Sequence, residues 1–304
     1  MPDIVALGEP MVEFNQEPDG RYREGFGGDT SNAIIAAARL GASTRYLTLL
    51  GEDRFGDAFM DLWRREEVNT LFVRRHVSAP TAVYFVNHGP AGHSFTYLRR
   101  GSAASLMSFT DFPSVAFSGA KYLHVSAVSQ AISYSARDAV GQAVEWAQQA
   151  GARLSYDTNL RLRLWPIEEA RVAIHATAHR AHILKTSIDD AQTLLGPLSP
   201  DTVADHYLSL GAEIVVVTLG ADGALAATPS ARERITPHML DCVDATGAGD
   251  AFAGALLVSL TRGLDPFEAA RFANAAAALA TTGYGAVAPL PTRAAVEALM
   301  ALGA

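Results

Sequence analysis

Asp244-Ala245-Thr246-Gly247-Ala248-Gly249-Asp250 runs directly into Ala251-Phe252-Ala253-Gly254-Ala255-Leu256, so a loop of small residues opens an apolar helical run. Residues with little or no side chain let successive backbone N–H groups converge on an anion. The start of a helix adds roughly half a positive charge at the same point. Gly247, Ala248 and Gly249 supply such a cradle, where charge developing on a transferring phosphoryl group would be stabilised. Asp250, beside the cradle at the helix start, is expected to stay ionised and to accept the proton of an attacking hydroxyl. Asp244, at a strand end, is expected to order the loop or a metal-bound water. The competing account of Asp250, an Asp that merely caps a helix after a glycine turn, explains less of a seven-residue string.

Outward from this stretch, short apolar or β-branched runs at 4–7, 46–50, 122–125, 154–156, 182–184 and 214–218 read as buried strands. Helical patterns at 31–40, 56–67, 135–149, 167–178 and 251–261 lie between or after them, with Gly41 and Gly151 where helix C-caps are expected. Alternating strands and helices imply an α/β fold with a mostly parallel sheet covered on both faces. The segments 81–86 and 93–98 break the rhythm, because a turn-rich connection at 87–92 joins them and no helix fits. With 9–15 and 22–26 they suit a small separate sheet, placed like a lid over one end of the main domain.

The chain has 304 residues, 49% of them hydrophobic, enough for a large core in a single main domain. A net charge of -8 argues against nucleic-acid binding, which needs a basic stripe. Lys121 and Lys185 are the sole lysines among 24 basic residues, and no Gly-x-x-x-x-Gly-Lys phosphate loop is present. Any anionic substrate must therefore be held by a few arginines. The single cysteine, Cys242, excludes an intrachain disulfide and a cysteine zinc site, and its apolar neighbours suggest a small core residue. No window reaches the roughly 20 apolar residues of a membrane span, and the opening has no basic region leading into a long apolar one. No membrane association is expected, and a cytoplasmic location is.

Asp244-x-x-Gly247-Ala248-Gly249-Asp250 resembles the C-terminal motif of the PfkB (ribokinase-like) carbohydrate kinases. Gly27-Gly28-Asp29-Thr30-Ser31-Asn32-Ala33, continuing through Leu40-Gly41, resembles their N-terminal motif. The resemblance runs from about residue 8 to 285. It implies a three-layer α/β/α sandwich with a β lid: one domain over 1–304, the lid built from about 9–26 and 72–100. It also implies ATP as phosphoryl donor and Mg2+ as its counterion. Gly28 would let the backbone turn closely against a ligand, and Asn32 offers an amide donor and an acceptor to sugar hydroxyls. A glycine-rich turn into a helix capped by Thr30 or Ser31 is the plainer account of the same residues.

Further matches suggest a nucleotide site. Ser187-Ile188-Asp189-Asp190 resembles the family's Asn/Ser-x-x-Glu, with Asp190 in the place of the customary Glu and implied to order hydrated Mg2+. Thr218-Leu219-Gly220-Ala221-Asp222-Gly223 resembles its nucleotide-binding strand and turn. Asn274 matches the segment that borders the adenine in relatives, although a polar residue on a buried helix is as readily structural.

Gly8-Glu9-Pro10-Met11-Val12-Glu13 is similar to the start of 2-keto-3-deoxygluconate kinases, and 97–104 resembles their Tyr-x-Arg-x-x-Ser-Ala segment. The implied substrate residues are Tyr84, Tyr97, Arg99 and Arg161. Strand alternation puts Tyr97 and Arg99 on one face, and Arg161 lies just past a strand end, where α/β proteins bind ligands. Two arginine forks would suit a carboxylate. The implied activity is transfer of the γ-phosphate to the terminal hydroxyl of 2-keto-3-deoxygluconate. Fructokinases share Gly-Glu near the start and a pattern like 159–165, so a fructokinase or other ketose kinase is the alternative, and a non-catalytic sugar-binding regulator is one of another class. A lid strand bearing Val83 and Phe85 is expected to pair with another subunit, giving a homodimer or larger assembly.

Overall fold

Ile4, Val5, Ala6 and Leu7 are each at most 1% exposed, so the first strand needs apolar cover on both its faces. A computed structural model of the chain, describing residues 1–89 and 92–302, supplies it. Ile4 and Ala6 point into one core with Ile34, Phe252 and Leu256, whereas Val5 and Leu7 point into a second with Leu123, Val140 and Leu184. This is the alternation of a strand sandwiched between two helical layers.

The strands are β1 (Ile4–Leu7), β2 (Met11–Gln16), β3 (Tyr22–Gly27), β4 (Thr44–Leu47), β5 (Leu49–Gly51), β6 (Arg74–His76) and β7 (Ala82–Gly89). They continue as β8 (Gly92–Leu98), β9 (Tyr122–Ser126), β10 (Arg153–Asp157), β11 (Ile183–Ser187), β12 (Ile214–Thr218), β13 (Ala224–Ala227) and β14 (Arg232–Ile235). The helices are α1 (Asp29–Arg39), α2 (Arg54–Arg65), α3 (Ala127–Ala131), α4 (Tyr134–Gln149) and α5 (Ile167–Ala178). Beyond these come α6 (Ile188–Leu195), α7 (Pro200–Ser209), α8 (Ala248–Thr261), α9 (Pro266–Ala280) and α10 (Arg293–Leu302).

The main sheet has the order β14-β13-β12-β11-β10-β9-β1-β4. It is parallel from β4 to β12, and β13 and β14 close it as an antiparallel edge. The α/β/α sandwich with a mostly parallel sheet is therefore as expected. The antiparallel edge carried no strong signal: Ala-Leu-Ala-Ala and Arg-Glu-Arg-Ile are poor in β-branched residues. The run at 46–50 proves to be two strands. The chain leaves the main sheet at Thr48, and β5 pairs instead with β6.

A separate four-stranded sheet has the order β3-β2-β7-β8. Within 72–100, the stretch β6 does not join it. Of the connection at 87–92, residues 90 and 91 lie outside the described residues. The expectation of an apolar face left open at Val83 and Phe85 is corrected: Val83 is 8% exposed, and Phe85 stacks on Phe14, which in turn meets Phe55 of α2. The chain's own α2 covers that face.

Two helices bring the motif segments together. α1 and α8 pack so closely that a Cβ on Gly254 would overlap the carbonyl oxygen of Ala33 and come 2.9 Å from Ala36 Cβ. Small residues on both helices (Ala33, Ala36 and Ala37 opposite Gly254) allow the approach, and with α9 packed on another side, nine consecutive residues of α8 from Ala251 are buried.

Candidate active site

Gly247 is the N-cap of α8, with φ +79, and a Cβ there would lie 2.9 Å from the carbonyl oxygen of Ala286. Only glycine fits both the backbone conformation and the space. Asp244 orders the loop: its Oδ1 accepts from the amide and hydroxyl of Thr246 at 2.9 and 2.6 Å, and its Oδ2 from the amide of Gly285 at 2.9 Å. The amide of Ala248 donates to Ala245 O at 3.2 Å and that of Asp250 to Gly247 O at 3.0 Å. The Gly247 and Gly249 amides have no partner among the described residues, which makes them the open donors of the cradle.

Asp250 stands in the first turn of α8, where Asn32 Nδ2 donates to its Oδ2 at 2.8 Å. Its expected ready ionisation is corrected. Burial, reinforced by the neighbouring Asp29 and Asp157, pushes its pKa up to about 8, against the opposing pull of Asn32 and Lys185. The helix-start field does not offset this desolvation. Asn32 is buried and its Oδ1 has no partner, so it presents an open acceptor next to Asp250.

These groups floor a cavity of about 1150 Å3 at the C-terminal ends of the parallel strands. Gly28, Asn32, Tyr84, Tyr97, Arg99, Arg161, Gly247, Gly249 and Asp250 all line it, residues drawn from five separate stretches of sequence. Arg100 and Arg163 line it too, and the Nη1 of Arg163 reaches the carbonyl of Phe95 in β8 at 3.5 Å.

Two of the sequence-derived roles change. Arg99 is not a free cation: its Nη2 pairs with Glu9, a fully buried carboxylate that also accepts from Ser102 Oγ at 3.1 Å. Arg99 Nε is buried without a partner, so the fork still has a donor to offer. Among the described residues, no ion pair is found for Arg100, Arg161 or Arg163. The Tyr84 hydroxyl donates to Glu13, which leaves its ring, stacked 5.8 Å from that of Tyr97, as its face to the cavity.

Ser187, Asp190, Thr218, Gly220, Gly223 and Asn274 do not line this cavity. Ser187 caps α6, its Oγ accepting from the Asp190 amide at 3.1 Å. The Asp190 carboxylate accepts from the Leu160 amide at 3.2 Å, and burial raises its pKa against the pull of Arg161. Thr218 ends β12, and Gly220 and Gly223 turn the chain into β13 with positive φ. Asn274 Nδ2 donates to the Thr236 carbonyl at 2.9 Å, a tie between α9 and the loop after β14. Cys242, expected in the core, is exposed, because the segment from 236 to 247 crosses the surface without regular structure.

Sequence patterns did not single out Glu9, Asp29, Asp157 or Lys185 as site residues, yet all four line the cavity. Asp29 Oδ2 accepts from Asn159 Nδ2 at 2.7 Å, and Lys185 Nζ donates to Asp157 Oδ2 at 2.7 Å. The available signal was Lys185 itself, one of two lysines in a chain that otherwise uses arginine.

The family model for the pfkB family of carbohydrate kinases matches residues 1–293. The chain belongs to the PfkB family of carbohydrate kinases. It is 35% identical to a probable fructokinase-4 of Arabidopsis thaliana, over 98% of this chain and 96% of that one. It is likewise 35% identical to a 2-dehydro-3-deoxygluconokinase of Thermoproteus tenax, over 99% and 95%. A fructokinase of Xylella fastidiosa solved with bound ATP superposes with a TM-score of 0.92 at 26% identity, over 100% of this chain and 99% of that one.

PfkB kinases use ATP with a divalent metal. The site fits both. The cradle at Gly247 has no room for a side chain, and Asp29, Asp157 and Asp250 line the same cavity. Among the described residues, no three His, Cys, Asp or Glu form a cage for a metal ion. A Mg2+ carried on phosphates needs one or two carboxylates and water, which suits such a site. No helix among the described residues is long and apolar enough to cross a membrane.

Proposed function

We propose that this PfkB kinase transfers the γ-phosphoryl group of ATP to the terminal hydroxyl of 2-keto-3-deoxygluconate, forming the 6-phosphate. The observation that carries the choice of a sugar acid is the arginine set: Arg99, Arg100, Arg161 and Arg163 line one acceptor cavity in a protein whose net charge is -8. Planar forks suit a carboxylate, and the overall field would otherwise repel one.

In this reading Asp250 takes the proton of the terminal hydroxyl, that oxygen bonds to the γ-phosphorus, and the bond to ADP breaks. Asn32 Oδ1 accepts from a sugar hydroxyl, Gly28 lets the backbone approach, and the rings of Tyr84 and Tyr97 wall the acceptor. The amides of Gly247 and Gly249 would donate to the transferring group, and Ala248 between them keeps the cradle free of bulk. Ser187, Thr218, Gly220, Gly223 and Asn274 border the nucleotide. When bound, Mg2+ neutralises phosphate charge, and Asp190 would order it through water. The four-stranded sheet acts as the lid, residues 1–304 as one kinase domain, and assembly is a homodimer or larger in the cytoplasm; light scattering giving the mass of one chain would refute the assembly.

A fructokinase is the second reading, favoured by one observation. Glu9 already neutralises Arg99, so the innermost arginine supplies hydrogen bonds without net charge, as a neutral ketose would require. A non-catalytic sugar-binding regulator has less support, because Asp250 and its cradle are intact. ADP release from MgATP, measured across 2-keto-3-deoxygluconate, its galacto epimer, fructose, ribose and adenosine, separates the readings. Fast turnover of the keto acids alone supports the arginine pocket; fast turnover of fructose removes it and keeps the kinase; binding without turnover leaves the regulator.

A further inference from the structure

The stretch from Thr281 to Leu290, between α9 and α10, consists of turns and bends without helix or strand. Ala286, Val287 and Leu290 within it are nevertheless at most 5% exposed, and the turn presses on the cradle. Ala286 is the wall that leaves Gly247 no room for a side chain: its carbonyl oxygen and Cα lie 2.9 and 3.0 Å from where a Cβ would stand. The Gly285 amide donates to Asp244 Oδ2 at 2.9 Å, and Asp244 Oδ1 in turn holds Thr246, the neighbour of Gly247. A segment without a ladder of backbone hydrogen bonds takes its position from what grips it.

Arg39, the last residue of α1, does the gripping. Its Nη1 donates to the carbonyls of Val287 at 3.0 Å and Leu290 at 2.7 Å, and more weakly to that of Ala288 at 3.4 Å. On the other side of the fork, Nε and Nη2 meet the two carboxylate oxygens of Glu66, the C-cap of α2, at 2.8 and 2.7 Å. One planar guanidinium thus joins α1, α2 and the turn. The bidentate carboxylate fixes the plane of the fork, and that plane aims Nη1 at the turn. A lysine, with a single ammonium, could not hold both sets of partners in this geometry.

Arg39 belongs to the stretch 27–41 that resembles the family's N-terminal motif, yet nothing in the reaction so far has called on it. Its place on α1 supplies a reason. At about 1.5 Å of rise per residue, Arg39 stands roughly 10 Å along the helix from Asn32. Through Asn32, the first turn of α1 reaches Asp250 of α8; through Arg39 and Ala286, its last residue reaches Gly247, the N-cap of the same helix. The two ends of α1 therefore fix the acceptor carboxylate and the loop of amides beside it.

We propose that Arg39 is a positioning residue for phosphoryl transfer: through the turn at 283–290 it holds Ala286 and Gly285 against the cradle, and so keeps the open amides of Gly247 and Gly249 in place. Glu66 orients Arg39 and has no contact with the cradle itself.

This proposal rests on the kinase reading, and one arm of its test needs no turnover. Arg39→Met combined with Glu66→Leu removes both partners, so no carboxylate is left alone, and apolar replacement of a buried ion pair often costs little stability. Both KM values and kcat are measured with MgATP and the acceptor that the wild type phosphorylates fastest. Amide hydrogen exchange is followed in the same proteins without substrate, well below their melting temperatures. Exchange across 281–290 is expected to quicken at least ~10-fold while α4, on the far layer, exchanges as before, the mark of a local loosening. A misplacement of about 1 Å can cost ~100-fold in rate, so kcat should fall at least ~10-fold, with the acceptor KM changed by no more than about twofold.

A purely structural role gives a different pattern, a lower melting temperature with an unchanged kcat per folded molecule, and that result overturns the proposal. Exchange across 281–290 that matches the wild type overturns it as well. If the double variant fails to fold, Arg39→Lys, which keeps the charge and gives up the fork, decides by the same two readings. A wild type that phosphorylates no sugar, with 281–290 loosened in the variant, leaves the clamp standing and sinks the kinase reading instead.

Discussion

Asn32 Nδ2 donates to Asp250 Oδ2 at 2.8 Å, joining the first turn of α1 to the first turn of α8 across 218 positions of sequence. Each family motif alone is a glycine turn leading into a helix. This hydrogen bond makes them one site, because it sets the carboxylate of the second motif by the amide of the first.

Asp250→Asn keeps the shape and the Asn32 neighbour but removes the proton acceptor. ADP release at saturating acceptor is expected to fall at least ~100-fold, the lower range of general-base effects, with an unchanged circular-dichroism spectrum. Near-normal turnover would falsify the base assignment.

The pH dependence follows from the same group. With its pKa at about 8, Asp250 in the free enzyme gains its charge only in mildly alkaline solution, so kcat/KM is expected to rise with pH and level off above that value. Stability runs the other way. The folded protein holds a proton that the unfolded chain, with the ordinary value of 3.8, releases, so this contribution is lost as pH rises towards 8. The melting temperature of Asp250→Asn minus that of the wild type should widen between pH 5 and 8 and then stay constant; a gap independent of pH contradicts the raised value.

Asn32→Leu removes a donor to the charged form of Asp250. A hydrogen bond to an ionised group contributes about 1.5–3 kcal/mol, so kcat/KM should fall ~10- to 100-fold and the alkaline midpoint should move upward. A fall in kcat/KM with an unmoved midpoint would show that Asn32 acts on the sugar alone.

Arg99→Ala leaves Glu9 buried without its partner. Such a loss costs about 3–5 kcal/mol, so urea unfolding should shift strongly, and adding Glu9→Gln should recover much of it. Affinity lost in Arg99→Ala is therefore ambiguous, and Arg161→Ala, at an exposed side chain, is the cleaner probe of carboxylate binding. Stability unchanged in Arg99→Ala would rule out the buried pair.

Gly254→Ala adds one methyl group where α8 meets α1. Overpacking costs about 1–3 kcal/mol, and here it also parts Asn32 from Asp250, so a lower melting temperature should come with lower kcat. A variant as stable and active as the wild type would mean that the helices part without cost.

Much of this was legible in the chain itself. The alternation of buried runs such as 4–7, 122–125 and 214–218 with helical patterns specified the parallel sandwich, because a strand covered on both faces must be apolar throughout. Small residues from Gly247 to Gly249 marked the cradle, since a backbone that approaches an anion leaves no room for side chains. Backbone geometry is local, and local sequence encodes it.

What the tertiary structure decided were the charges. Arg99 reads as a free cation until Glu9, 90 positions away, is found against it; Asp250 reads as readily ionised until the fold buries it near Asp29 and Asp157; Lys185 carries no motif that announces a role. Proton affinity and ion pairing depend on distance and dielectric, and residues far apart in the chain acquire both only when the fold brings them together.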